Sequence, residues 1–179
     1  MTTEQSHPFS GRRWLIDVAT IGQGKSGTVE ASPAECTAVA ADLDLLACQN
    51  LALTFDVKPM SGRRLRLKAA ITCDVVQASV VSLEPVASRI DEHAESELVA
   101  EGTAPLDAGE GAVDILNAPV VETYAEGRVD LGLIAFELLS VSLEPYPRLP
   151  GEALADEGDG AKGSLSPFAA LAALRKKDT

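Results

Sequence analysis

Between Leu51 and Val75 apolar and polar residues alternate with a period of two, interrupted once by Pro59-Met60-Ser61-Gly62. Successive side chains of a strand point to opposite faces, so Leu51, Leu53, Phe55 and Val57 share one face and Ala52, Thr54, Asp56 and Lys58 the other. Beyond the interruption, Leu65, Leu67, Ala69, Ile71, Cys73 and Val75 line one face, against Arg64, Arg66, Lys68, Thr72 and Asp74. Two such runs joined by a Pro/Gly turn predict a long hairpin with one face on a core and the other in water. A chain with this segment needs apolar elements elsewhere to cover that face.

Helical patterns supply them. Ser32-Pro33-Ala34-Glu35 places a hydroxyl at the N-cap, Pro at the first helical position and Glu at the third, a capping box. Cys36, Val39, Ala40, Leu43 and Leu46 follow at helical spacing, so a helix is expected over 33–45. Asp130 can cap a second helix over 131–142, whose residues leave almost no polar side, so burial is expected. Trp14 to Val18 and Thr28 to Ala31 read as two short strands joined in a hairpin by Gly22, Gly24 and Gly27. Val86 to Val99 reads as another strand, 101–113 as an exposed loop, and Val113 to Val121 as a short strand. Ser166-Pro167 restarts a short helix ending on Arg175, Lys176 and Lys177, which suit its dipole.

Composition removes several functional classes. Of 179 residues 46% are apolar and only 4% aromatic, which fits one aliphatic core. No run reaches the roughly 18 apolar residues of a membrane span, and residues 1–10 lack the basic and apolar regions of a signal peptide, so the expectation is a cytoplasmic protein with no membrane partner. Cys36, Cys48 and Cys73 are odd in number and widely spaced, which suits reduced thiols better than a disulfide framework. Imidazoles are limited to His7 and His93, and no Cys-x-x-Cys pair occurs, so no metal and no cofactor is expected. The net charge is −12, with 8 basic and 8 acidic residues in 1–75 but 7 and 19 in 76–179. A chain so charged repels nucleic acid at long range; RNA contact has to be local or made through a basic partner, and DNA is not expected.

Several local patterns invite chemistry. Gly24-Lys25-Ser26 has part of a phosphate loop, but Ala19 stands where its leading glycine belongs, and a strand follows rather than a helix. His93 could serve Cys73 or Ser79, yet Glu92 and Glu95 flank it and an exposed imidazole is the simpler reading. Arg64, Arg66 and Lys68 form a basic stripe on one strand face; it can meet phosphates or an acidic partner, or pair with Asp56 or another cross-strand carboxylate. Glu137, the one charge between Leu131 and Leu143, reads as half of a structural ion pair rather than a catalytic acid. Pro145-Tyr146-Pro147-Arg148-Leu149-Pro150-Gly151 makes a stiff, extended exit on which Tyr146 and Arg148 can project as recognition groups.

Five segments, taken in order, resemble the alphaproteobacterial branch of the YceD family: Pro8-Phe9-Ser10; Val80-Val81-Ser82-Leu83-Glu84-Pro85-Val86; Val129-Asp130-Leu131-Gly132 with Glu137; 145–151; and Ser166-Pro167-Phe168-Ala169-Ala170-Leu171. The motif residues are Leu83, Glu84, Pro85, Asp130, Leu131, Gly132 and Glu137. The resemblance implies a non-enzymatic role in the synthesis, processing or stability of large-subunit ribosomal RNA, with no catalytic residue and no cofactor. The chain departs from the family at Ser79, commonly Cys, and lacks the C-terminal cysteines of other branches.

The expected architecture is α+β: a curved, partly closed antiparallel sheet packed with two main helices and a short C-terminal helix. Residues 1–151 form the domain, 152–165 an acidic flexible loop, and 166–179 the last helix and tail. The expected function is that of an accessory factor in ribosome biogenesis, acting on ribosomal RNA or on ribosomal or RNA-processing proteins through Arg64, Arg66 and Lys68, or through Tyr146 and Arg148. The alternative from another class is a metal-dependent RNA hydrolase or nuclease, which would need clustered carboxylates or an imidazole acid–base pair.

Overall fold

A computed structural model describes residues 8, 9, 11–102 and 120–152. The chain divides into two compact units, Met1–Leu149 and Pro150–Thr179, and every helix and strand among the described residues belongs to the first. The expected C-terminal helix over 166–179, the acidic stretch 152–165 apart from Glu152, and most of the expected strand at 113–121 lie outside the described residues.

The fold is α+β, with five strands in one sheet: β2 (Lys25–Glu30), β3 (Ala47–Met60), β4 (Arg64–Ala78), β5 (Pro85–Ala100) and β6 (Val120–Tyr124) in that spatial order. β1 (Leu15–Asp17) and β7 (Arg128–Asp130) form a separate two-stranded sheet. Helices α1 (Pro33–Asp42) and α2 (Leu131–Ser142) complete the unit. Two expectations are corrected here. The large sheet is mixed rather than antiparallel, because β6 joins β5 in parallel, and it is open, with β2 and β6 at its edges, rather than curled or partly closed.

The hairpin read from the alternation is present. β3 and β4 pair from Met60–Arg64 to Ala47–Val76, and the turn between them uses Gly62 and Arg63 at φ of 74° and 58°. Leu51, Leu53, Phe55 and Val57 on β3 and Leu65, Leu67, Ala69, Ile71, Cys73 and Val75 on β4 are buried, as the alternation predicts. β3 starts four residues before the alternation does, because a β-bulge lies between Gln49 and Ala52, with Asn50 at φ 52°. The bulge reverses the phase of the strand, so Cys48 is buried with the odd-numbered residues that follow it.

The N-terminal hairpin expected from the glycines does not form. The chain leaves β1 through a short 3₁₀ turn, Val18–Thr20, and β1 pairs with β7 while β2 pairs with β3. Gly27 has a packing role instead: a Cβ there would lie 3.1 Å from Cζ of Phe55, its partner across the strands.

The core fills one side of the sheet. Trp14, Ile16, Cys36, Val39, Leu131, Ala135 and Leu139 cover the apolar faces of β3, β4 and β5, and burial of this order stabilises by roughly 2 kcal/mol for each large side chain. Both helix starts obey their capping signals. Ser32 and Glu35 exchange the two hydrogen bonds of a capping box, and Asp130 Oδ1 accepts from the amides of Gly132 and Leu133 at 2.9 and 3.1 Å. α1 ends at Asp42, three residues short of expectation. α2 is buried on one side only, at Leu131, Gly132, Ala135 and Leu139, while Glu137 and Val141 face solvent.

Candidate functional site

The basic stripe lies on the outer face of β4, and β5 answers it with carboxylates. In the register Lys68 lies opposite Glu95 and Arg66 opposite Glu97. Lys68 Nζ and Arg66 Nε approach the two oxygens of Glu95 at 3.3 and 3.4 Å, and Arg64, itself mostly buried, pairs with Glu97. The stripe is therefore charge-compensated, the cross-strand pairing that competed with a binding role, although the partners come from β5 and Asp56 pairs with Lys58 instead.

Further along the same face Asp74 accepts from Asn50 Nδ2 at 2.7 Å and from Arg89 Nη1 at 2.8 Å. These two bonds, Asn50 first, hold the Asp74 carboxyl below its ordinary range. His93 lies opposite Ala70 on the exposed side, whereas Cys73 is buried in the core, so no Cys73–His93 pair exists. Lys25 and Ser26 belong to β2, as the argument against a phosphate loop requires.

Glu137 does not occupy the buried ion pair expected of it. It is exposed, because the apolar face of α2 turns Leu131, Ala135 and Leu139 inward and position 137 outward. It does influence half-buried Glu122 on β6: burial first, and then the Glu137 charge, push the Glu122 carboxyl up, partly offset by a hydrogen bond with Ser96. Among the described residues no group of three or more His, Cys, Asp or Glu side chains is arranged to hold a metal ion.

Two of the motif segments meet at one end of the sheet. The loop between β4 and β5 is closed on Ser79: its amide donates to the Glu84 carbonyl at 2.8 Å, its carbonyl accepts from Leu83, and its Oγ accepts from the amides of Val81 and Ser82 at 3.1 and 3.3 Å. The amide of Val80 donates to the Pro147 carbonyl at 2.9 Å, and Gln77 Nε2 to the Glu144 carbonyl at 3.0 Å. The loop is thereby stitched to the Pro-rich exit of α2, where Pro147 is buried and Tyr146 and Arg148 are exposed.

This stitched surface is unusually apolar for a loop. Leu83 is 77% and Tyr146 68% exposed, and Val80 and Val81 are partly open to solvent beside them. Leu83 also adopts φ 63°, a left-handed conformation that costs an L-residue roughly 1 kcal/mol or more. The backbone bonds of Ser79 with Leu83 and Glu84 hold it there. Glu84 is exposed and Pro85 opens β5, while Asp130, Leu131 and Gly132 serve the start of α2 and do not join this surface. The sequence marks 80–86 and 145–151 as separate segments; the hydrogen bonds that join them have no local signature.

The cysteines also come together, which their spacing hides. Cys48 Sγ and Cys73 Sγ are 3.3 Å apart, and Cys36 on α1 lines the same cleft as Cys48. The available signal was that Cys36 and Cys73 each fall on an apolar face, so both must reach the same core.

Among the described residues no helix is long and apolar enough to cross a membrane. Compared with known proteins, the chain matches no family model, no curated protein and no solved structure.

Proposed function

We propose that the chain is an accessory factor for the synthesis, processing or stability of large-subunit ribosomal RNA in the bacterial cytoplasm, and that it acts without catalysis, by docking a basic ribosomal or RNA-processing protein. The process comes from the five ordered segments that resemble the YceD family. The mode of action rests on one observation: Leu83 is held in a strained left-handed conformation with most of its surface in water, on the loop whose Val80 amide bonds the Pro147 carbonyl next to exposed Tyr146. An exposed apolar side chain kept in a costly conformation serves a partner better than it serves the fold.

The charge distribution favours a protein over RNA as that partner. A net charge of −12 steers a basic protein inward and repels phosphate, and the stripe of Arg64, Arg66 and Lys68 meets Glu95 and Glu97 rather than standing free. Arg148, exposed beside the apolar surface, can add a hydrogen bond at its rim.

Depleting the protein and measuring the ratio of large-subunit to small-subunit ribosomal RNA tests the process; an unchanged ratio refutes it. Pull-down with the full chain, compared with a variant lacking 152–163, tests steering by the acidic segment, and equal recovery of ribosomal proteins overturns that part. Incubation with Mg²⁺ and labelled ribosomal RNA fragments separates the reading from the hydrolase alternative: intact fragments with retained binding support an accessory role, and discrete products establish an enzyme.

A further inference from the structure

All three cysteines are free thiols that converge on one place in the core, beneath a cleft of about 570 Å³ between α1 and the bulge of β3. Cys36 and Cys48, each 7% exposed, line that cleft, with Pro33, Thr37, Gln49 and Asn50 around them. Cys73 lies behind them with no exposure, its sulfur 3.3 Å from that of Cys48. A disulfide needs about 2.05 Å between sulfurs, so the gap closes by a small rotation of two side chains that already point at each other.

We propose that these thiols form a redox relay, in which hydrogen peroxide oxidises the Cys48–Cys73 pair to a cross-strand disulfide and Cys36 provides the route by which it is reduced again.

The first proton leaves Cys73 more easily than an isolated thiol, because Cys48 S–H donates to the sulfur left behind; the same neighbour and then burial raise Cys48. Transfer of the Cys48 proton to the Cys73 sulfur 3.3 Å away leaves the thiolate at the cleft, and the Cys48 sulfur attacks one peroxide oxygen. The O–O bond breaks, hydroxide leaves, and Cys48 becomes a sulfenic acid. Cys73 then displaces the sulfenic oxygen: an S–S bond forms, the S–O bond breaks, and the oxygen leaves as water with the remaining proton. In sum two thiols lose two electrons and two protons, and one peroxide becomes two waters.

Return runs through the outer thiol. Cys36, deprotonated, attacks Cys48 sulfur and expels Cys73 as a thiolate, which moves the disulfide to Cys36–Cys48 at the wall of the cleft. There an external dithiol reduces it, forming its own disulfide and restoring Cys36 and Cys48. Burial first, and then the Cys48 sulfur, hold the Cys36 thiol above its ordinary range.

Trypsin separates the possible products. Cleavage after Lys25, Arg63, Lys68 and Arg89 leaves Cys36 and Cys48 on peptide 26–63 and Cys73 on peptide 69–89. After peroxide treatment of the full chain, mass spectrometry without reductant should show these two peptides joined, with one free thiol remaining. Cys48→Ala should abolish every internal disulfide, Cys73→Ala should give a loop disulfide within 26–63, and Cys36→Ala should still join the peptides but recover at least tenfold more slowly in dithiothreitol. Circular dichroism establishes that each variant is folded, and the wild-type peptide map stands without any variant. Three free thiols after peroxide has fully oxidised glutathione in the same tube, or sulfinic acid without a joined peptide, overturns the relay. Equal recovery rates for Cys36→Ala and wild type overturn the part assigned to Cys36.

Discussion

Trp14 Nε1 donates a 2.9 Å hydrogen bond to Glu35 Oε1, joining the segment before β1 to the first turn of α1. The other oxygen of the same carboxylate accepts from the amide and hydroxyl of Ser32, both at 2.8 Å, and pairs with Arg13. Glu35 is buried, so it acts both as helix cap and as the acceptor that lets the indole N–H leave water. Glu35→Ala removes the cap and leaves a buried donor unmatched, an expected loss of about 3 kcal/mol. Thermal unfolding should fall by roughly 10 °C for a chain of this size, and Glu35→Gln, which keeps an oxygen for Trp14, should fall much less.

The Glu122 carboxyl is raised by burial and by Glu137, which makes its ionisation unfavourable to the folded state. A carboxyl raised on folding contributes stability below its unfolded pKa and loses that contribution as pH climbs through the folded value. Glu122→Gln should therefore unfold at a higher temperature than wild type at about pH 7, with the advantage vanishing at about pH 4. Melting curves at the two pH values decide this; an equal gap at both would assign the effect to something other than charge.

Arg66 and Lys68 share Glu95 at an exposed site, so changing both to Gln should move stability by no more than about 1 kcal/mol. Binding of a ribosomal RNA fragment, followed by fluorescence anisotropy, should not change either, and its loss would restore a direct RNA role to the stripe. Arg64→Gln is different in kind. It leaves mostly buried Glu97 without its cation, and denaturant unfolding should register about 3 kcal/mol.

Leu83→Asn separates display from folding. Asn accepts the left-handed conformation better than Leu, and no core contact is lost, so stability should stay level or rise by up to about 1 kcal/mol. Recovery of ribosomal proteins in pull-down should nonetheless drop severalfold, and more so with Tyr146→Ala added. Undiminished recovery by the double variant would remove the docking role from this surface.

What the sequence discloses is what is local. Alternation in 51–75 gives the hairpin and its buried face, and Ser32-Pro33-Ala34-Glu35 and Asp130 give both helix starts, because caps and pleats are written within a few residues. Long-range choices are not. Whether β1 pairs with β2 or with β7 depends on a partner more than a hundred residues away, and the glycines of the nearer connection made the wrong hairpin look plausible. The surroundings of Glu137 are hidden for a related reason: a helix apolar nearly all round can still pack on one side only, as α2 does. The stripe was visible in 64–68, but its neutralisation needed the register that sets Glu95 against Lys68.

The extra residue in β3 between Gln49 and Ala52 shifts the strand by half a pleat, and everything before it is out of step with everything after. This makes the segment sensitive to length in a way that it is not to side-chain identity. Excising Asn50 would restore an unbroken ladder only by rotating Cys48 toward solvent, or by driving Leu51 and its followers out of the interior. Natural variation here should consequently run through substitutions, with insertions and deletions falling in the turns on either side.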